Sequence, residues 1–366
     1  MISNLVVFCA CRGVSHECWQ ALLFLCKKGA TCKGIENALG LETTGGRIWE
    51  IRRFNFFNSM NRQNAYPLFI CLVMFLLVYC RPQSPEKVVT KYFPRFYKEG
   101  HRGTRGLMPE NTIPSMKKAI DDGANIIEAD VQISKDKQVM VAHDPYINRD
   151  FSLLPDGGEI PEGDAGTYIL YQMNYSDIRK FDVGSKYHEG FPHQKKIPAY
   201  IPLLGELIDS VEEYTARKGL PAIIYNIEIK SDPDQDGFYQ PHPEELVALV
   251  MNVLTEKQIV NRFYIQSFDV RQLQQVHERY PEVVTGFLTG NKDASFEDNL
   301  KRIGFQPQIY SPHYSLATPE LIKQCHDRGM KFVPWTVNTS EEMKELIKIG
   351  ADGIITDYPN LLSELK

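Results

Sequence analysis

From residue 96 onward, short apolar runs alternate with longer stretches whose apolar residues recur every three or four positions. The runs 96–100, 125–133, 139–143, 222–230, 262–268, 283–288, 308–311, 331–337 and 353–356 have the length and composition of strands. Between them, Leu246, Leu249, Val250, Val253 and Leu254 trace the stripe of a helix that faces a core. Segments 321–328 and 343–349 read as further helices, each followed closely by a glycine (Gly329, Gly350) suited to a C-terminal cap. Repeated strand–helix units imply a parallel sheet, and about 270 residues of them fit an α/β fold of the (β/α)8 TIM-barrel type. Nine strands are one too many. The surplus lies where 125–133 and 139–143 are joined by SKDKQ, too short for a helical crossover, so these two should form an antiparallel hairpin after strand 2. Residues from about 145 to 202, rich in Gly, Pro, Asp and Tyr, break the alternation and read as a lid-like insertion.

Ahead of the alternating region the pattern changes. Residues 68–79 (LFICLVMFLLVY) are an unbroken apolar run preceded by Met60-Asn61-Arg62. Such a run rises only about 18 Å as a helix, short of the roughly 30 Å hydrocarbon core. A basic start followed by a short apolar stretch is the arrangement of a secretory signal. It ends at Cys80, as in a bacterial lipoprotein signal whose cysteine is lipidated, although Tyr79 is bulky where such signals carry a small residue. The expected organisation is an upstream extension at 1–59, a signal peptide or membrane anchor at 60–80, a linker at 81–95 and a barrel at 96–366. Two readings of 1–59 remain: a segment absent from the working protein, or a small extra region ahead of an anchoring helix. Either places the barrel outside the cytoplasm, periplasmic or at the cell surface, with membrane contact through the N-terminal segment.

Composition narrows the classes. The 366 residues are 43% hydrophobic and 24% charged, as in a globular protein, and the net charge of -5 argues against a partner such as nucleic acid. Seven cysteines fall in the first 80 residues and only Cys325 lies beyond, so the barrel must be held by packing and not by an internal disulfide.

Chemistry concentrates on the strands. In Glu128-Ala129-Asp130 the two carboxylates share a strand face, aimed into the barrel, while Ile127, Ala129 and Val131 face the helices. In 226–230 (NIEIK), Asn226, Glu228 and Lys230 alternate inward in the same way. Three inward acids make a hard oxygen site suited to one Mg²⁺ or Ca²⁺, against the plainer alternative of a salt-bridge cluster with Arg102 and Lys230. His101 ends the first strand, where barrel enzymes hold active residues. If the hairpin turns near Asp136, Asp130 faces Ala142 and His143 returns to the level of the carboxylates. Two imidazoles beside a metal supply an acid and a base near neutral pH. Arg102 offers a fork for phosphate oxygens, and the glycines of 103–106 let backbone approach a ligand. Asn111 or Thr112 caps the following helix, with Pro114 in its first turn.

Taken together, HRG (101–103), PENT (109–112), EAD (128–130), HD (143–144), EIK (228–230), QSF (266–268), PWTVN (334–338) and DGIITDYP (352–359) resemble, in order and spacing, the glycerophosphodiester phosphodiesterase family over about three quarters of the chain. The resemblance implies a phospholipase-C-like barrel binding one divalent ion through Glu128, Asp130 and Glu228. It implies His101 and His143 as the acid–base pair, Arg102 and Lys230 on the phosphate, and Trp335 lining the alcohol pocket. Substrates would be glycerophosphodiesters, split to glycerol 3-phosphate and an alcohol. Lysophospholipase D or phospholipase-C-type action on lipid diesters is the neighbouring alternative, and a non-catalytic surface lipoprotein that binds phosphorylated ligands is the alternative of another class. No G-x-S-x-G elbow and no G-x-G-x-x-G after the first strand occur, which excludes the usual serine hydrolase and dinucleotide signatures.

Overall fold

A computed structural model describes residues 91–259 and 261–365; the extension at 1–59, the signal or anchor at 60–80 with Cys80, and most of the 81–95 linker lie outside them. The strands are β1 (Tyr97–Gly100), β2 (Ile126–Ile133), β3 (Val139–Val141), β4 (Ile224–Ile229), β5 (Phe263–Ser267), β6 (Val284–Thr289), β7 (Ile309–Pro312), β8 (Lys331–Phe332) and β9 (Gly353–Thr356). Eight of them pair in parallel in the order β8-β7-β6-β5-β4-β2-β1-β9, and β3 pairs antiparallel with β2. Helices alternate with them: α1 (Ile113–Asp121), α2 (Leu204–Lys218), α3 (Pro243–Glu256), α4 (Val270–Arg279), α5 (Phe296–Ile303), α6 (Pro319–Asp327), α7 (Ser340–Lys348) and α8 (Pro359–Glu364). This is the nearly closed eight-strand barrel expected from the alternation.

The strand expected at 331–337 is shorter than its apolar pattern, and only Lys331–Phe332 forms regular strand. Regular pairing stops at Phe332, because Pro334 has no N–H to donate to a ladder. The chain still closes the gap: Asp352 N–H donates to Phe332 O, Ile355 N–H to Pro334 O, and Val337 N–H to Ile355 O, each within 3.0 Å. Glycines 329 and 350 adopt φ of 71° and 105° just past α6 and α7, the left-handed geometry that ends a helix. On α3 the buried face is Leu246, Val247, Val250, Met251 and Leu254, with Leu249 and Val253 only half-buried. The face is thus turned slightly from the stripe read in the sequence. Burying each such aliphatic chain contributes about 1.5–3 kcal/mol.

The hairpin has the expected register. Val131 faces Val141, Gln132 faces Met140, and Ala142 N–H donates to Asp130 O at 3.0 Å. The insertion after it is a self-packed element and not an open loop. Ile147, Ile160, Leu170, Tyr175, Ile178 and Phe181 form their own core with Met140. Asp182 gathers the amides of Gly184, Ser185 and Ala199 at 2.9, 3.1 and 3.3 Å. Its end returns onto the free edge of β3, where Val141 N–H donates to Pro202 O at 2.8 Å.

Two cores divide the barrel wall. Ile127, Ala129, Val131, Ile227 and Ile229 point to the helices. Inside, Phe93, Tyr97, Ile126, Ile224, Tyr264 and Val284 fill the N-terminal end. Above this apolar floor sits Glu99, fully buried, accepting from Tyr264 Oη at 2.8 Å and from Asn226 Nδ2 at 3.0 Å. Burial pushes its carboxyl up to about 7, against the pull of those two donors. Between the ordinary carboxylate value of about 4.3 and pH 7, the folded chain therefore keeps a proton that the unfolded chain has released. The contribution of Glu99 to stability therefore falls as pH rises through that window. Glu99→Gln should remove this part of the decline, a difference of roughly 2–3 kcal/mol between pH 4.5 and 7.5. Denaturant melts of the two proteins across that range test it, and parallel curves would exclude Glu99 as the group.

Candidate active site

The strand alternation puts three carboxylates at one level of the barrel interior. Glu128 and Asp130 come from β2 and Glu228 from β4, with Asp130 directly beside Glu228 in register. One oxygen of each lies within 4.8 Å of the others, and all three residues are buried. Such crowding shows in their acidities. Burial, then Asp130 and Glu228, push Glu128 well above the usual carboxylate range. Burial also raises Glu228, partly offset by Lys230. Asp130 goes the other way: burial opposes its ionisation, but Arg102, His143 and Lys230 outweigh it and hold it well below that range. Glu128 Oε1 and Asp130 Oδ1 are buried without a hydrogen-bond partner among the described residues. Oxygen-only donors, close spacing and orphaned oxygens fit a hard divalent cation.

The loop from β1 to α1 braces these acids. Arg102 and Asn111 adopt left-handed φ of 49° and 56°, and Asn111 N–H donates to Arg102 O at 3.0 Å. From these positions Arg102 N–H donates to Glu128 Oε2 at 2.7 Å, and Asn111 Nδ2 donates to Asp130 Oδ2 at 2.8 Å. Thr112, and not Asn111, is the helix cap, accepting from Ser115 N. Close packing alone already requires the glycines here. A Cβ on Gly103 would lie 2.4 Å from Ser115 Oγ, and one on Gly106 would lie 2.1 Å from the Tyr358 ring.

Both histidines are held from behind by carboxylates. His101 Nδ1 donates to Asp357 Oδ1 at 2.7 Å, and His143 Nδ1 donates to Asp144 Oδ1 at 2.8 Å. A carboxylate only accepts, which assigns the proton to Nδ1 and leaves Nε2 of each ring for other work. Asp357, at the end of β9, also accepts from Asn338 Nδ2 at 2.7 Å. Burial pushes its carboxyl up, but His101, Arg105 and Asn338 outweigh burial and keep it below the usual range. Asp144 is likewise lowered against burial by His143 and Asn148.

One cleft of about 270 Å³ is lined by His101, Arg102, His143, Glu228, Lys230 and Trp335. Of the eight residues singled out from sequence, these six face it, while Glu128 and Asp130 lie fully buried beside Glu228. The cleft has two characters. Phe268 and Leu288 join Trp335 on the β5–β8 side, with the Phe268 and Trp335 rings edge-on at 5.2 Å. The opposite side carries His101, Arg102 and Arg105. Arg102 Nη1 and Arg105 Nε share the buried Glu110, at 2.7 and 2.5 Å. Lys230 Nζ donates to Glu228 Oε1 at 2.7 Å. Sequence reasoning missed Glu110, Asn111, Asp144 and Asp357 as partners, although each lies inside a motif already quoted; a carboxylate or amide next to a chemical residue was the available signal.

Comparison with known proteins gives the family. Residues 101–361 match the Glycerophosphoryl diester phosphodiesterase family. A glycerophosphodiester phosphodiesterase of Caldanaerobacter subterraneus subsp. tengcongensis is 31% identical over 270 residues, covering 72% of this chain and 95% of that one. A solved structure from Silicibacter pomeroyi DSS-3, assigned to glycerophosphoryl diester phosphodiesterases, superposes with a TM-score of 0.66 at 27% identity, covering 77% of this chain and 98% of that one. An Oleispira antarctica phosphodiesterase, solved with the product sn-glycerol-3-phosphate, shares the fold at a TM-score of 0.58 and 22% identity, over 74% and 95% of the two chains. The chain belongs to the glycerophosphoryl diester phosphodiesterase family and is a phosphoric diester hydrolase.

Proposed function

We propose that this chain hydrolyses glycerophosphodiesters to glycerol 3-phosphate and an alcohol, with metal dependence and histidine acid–base catalysis. The observation that carries the reading is the meeting of two carboxylate-backed imidazoles and a buried triad of acids at one cleft. Glu128, Asp130 and Glu228 would hold one Mg²⁺ or Ca²⁺, which when bound supplies Lewis-acid stabilisation of the phosphoryl charge. Arg102 and Lys230 hold the phosphate, and Trp335 packs against the alcohol. One imidazole takes the proton of the nucleophile, either water or the glycerol 2-hydroxyl, the latter giving a cyclic intermediate. The other gives a proton to the departing oxygen. With Nδ1 committed to a carboxylate, Nε2 is the atom that takes or gives that proton in each ring.

Alanine at either His101 or His143 should lower kcat on glycerophosphocholine by about 10²–10⁴-fold. Asp357→Asn should cost at least about tenfold and change the shape of the pH–rate profile, since the amide no longer fixes the His101 tautomer. Wild-type turnover in an alanine variant, measured as glycerol 3-phosphate released, would remove that histidine from the mechanism. A panel that includes acylated diesters separates this activity from that of a lysophospholipase D.

Chelation should silence the enzyme, and Mg²⁺ or Ca²⁺ should restore it. Glu228→Ala should abolish calorimetric binding of the restoring ion while the barrel still melts cooperatively. Full activity after exhaustive chelation would refute the metal.

We also propose an exported, membrane-anchored location, supported by the apolar run at 68–79 and the polar RPQSPE stretch at 81–86. The full chain should then partition with membranes and a chain starting at residue 82 should not; equal partition would defeat the anchor.

A further inference from the structure

The cleft is lined by three basic side chains, and two of them lie against the buried acids. Arg102 is only 9% exposed at its side chain, with Nη1 on Glu110 at 2.7 Å and Nε 3.3 Å from Asp130. Lys230 Nζ lies 2.7 Å from Glu228 and 3.8 Å from Asp130. Arg105 differs. Its side chain is 24% exposed on the cleft wall, and Glu110 engages only its Nε. No acceptor meets its Nη1 or Nη2 among the described residues. Two guanidiniums share the carboxylate of Glu110; Arg102 has Asp130 as a second ion-pair partner, and Arg105 has Glu110 alone within ion-pair distance among the described residues.

The insertion holds that guanidinium in place. Arg105 lies over the Phe191 ring, 4.5 Å from its centroid, and its carbonyl accepts from Gln194 Nε2 at 2.8 Å. Lys195 N–H donates to Leu107 O at 2.9 Å, so the segment is docked beside Arg105 on both sides. Behind Phe191, His188 contacts its ring edge-on at 5.0 Å and stacks on Phe151 at 5.4 Å, which links the segment to the rest of the insertion. A planar group fixed through one nitrogen and one face presents its remaining edge as a prepared fork.

We infer that Arg105 binds a phosphate oxygen of the substrate through its Nη1–Nη2 edge, and that the insertion serves as a strap that positions it through Phe191. The inference rests on the glycerophosphodiesterase reading above and adds a residue to it. It also gives the 145–202 insertion a role: the strap completes the anion side of the cleft, opposite the aromatic wall of Phe268 and Trp335.

The test is titration of sn-glycerol 3-phosphate into the full chain by calorimetry, with and without Mg²⁺, alongside kcat and KM on glycerophosphocholine. Loss of a charge-assisted forked contact corresponds to about 10–100-fold. Arg105→Ala should weaken glycerol 3-phosphate by that factor and raise KM more than it lowers kcat. Arg105→Lys, which keeps the charge without the fork, should fall between, and it carries the test should the alanine variant unfold. Phe191→Ala should weaken binding several-fold in the same direction with every charge intact. Arg105 variants that bind glycerol 3-phosphate within twofold of the wild type would overturn the inference alone. A wild type that neither binds glycerol 3-phosphate nor hydrolyses any glycerophosphodiester would overturn the function and the inference together.

Discussion

Three carboxylates buried within 4.8 Å of one another form the constraint around which the catalytic end of the barrel is built. At an effective dielectric of about 20, each ionised pair at that spacing would repel by roughly 3 kcal/mol, before any cost of leaving water. The surroundings answer this charge at every available point. A backbone N–H from Arg102 reaches Glu128, the Asn111 amide reaches Asp130, and Arg102 and Lys230 stand against Asp130 and Glu228. The left-handed φ values at Arg102 and Asn111 are explained by the same need, since they turn an N–H and an amide toward oxygens that would otherwise be bare. Glu128 Oε1 and Asp130 Oδ1 nevertheless have no hydrogen-bond partner among the described residues. Oxygen donors at this spacing could hold a divalent ion, whose charge would offset theirs.

Much of this arrangement can be read from alternation. A strand's period of two decides which residues of 128–130 and 226–230 face inward, and the nine apolar runs with a five-residue link decide that one pair must be a hairpin. The hairpin register follows from the same counting, and with it the nearness of His143 to Asp130. What alternation does not encode is partnership across the chain. Asp357 reaches His101 over 256 positions, and nothing local in DGIITDYP marks its carboxylate as an imidazole's support. The shortening of β8 was hidden because hydrophobicity continues through Val337 while Pro334 removes a donor. The insertion was opaque for a related reason: its core is assembled from single apolar residues spaced irregularly, held by turns and by the Asp182 carboxylate and not by a periodic face.

The two histidines are supported in different ways. Asp144 adjoins His143 in sequence, so that pair comes with the hairpin and its half-exposed surroundings. Asp357 is buried, is fixed in turn by Asn338, and lies 256 positions from His101 in sequence. One imidazole therefore owes its orientation to a local turn, and the other to the global closure of the sheet.

That second arrangement ties chemistry to biosynthesis. β1 pairs with β9 along its whole length, from Tyr97 beside Gly353 to Gly100 beside Thr356, and Asp357 follows at once. A nascent chain that has emerged only as far as α7 already contains both histidines and all three acids, yet the His101 ring still lacks the carboxylate that orients it. The carboxylate that orients His101 follows β9 directly, so a copy cut short after α7 would hold both imidazoles and all three acids and still leave one ring unaimed.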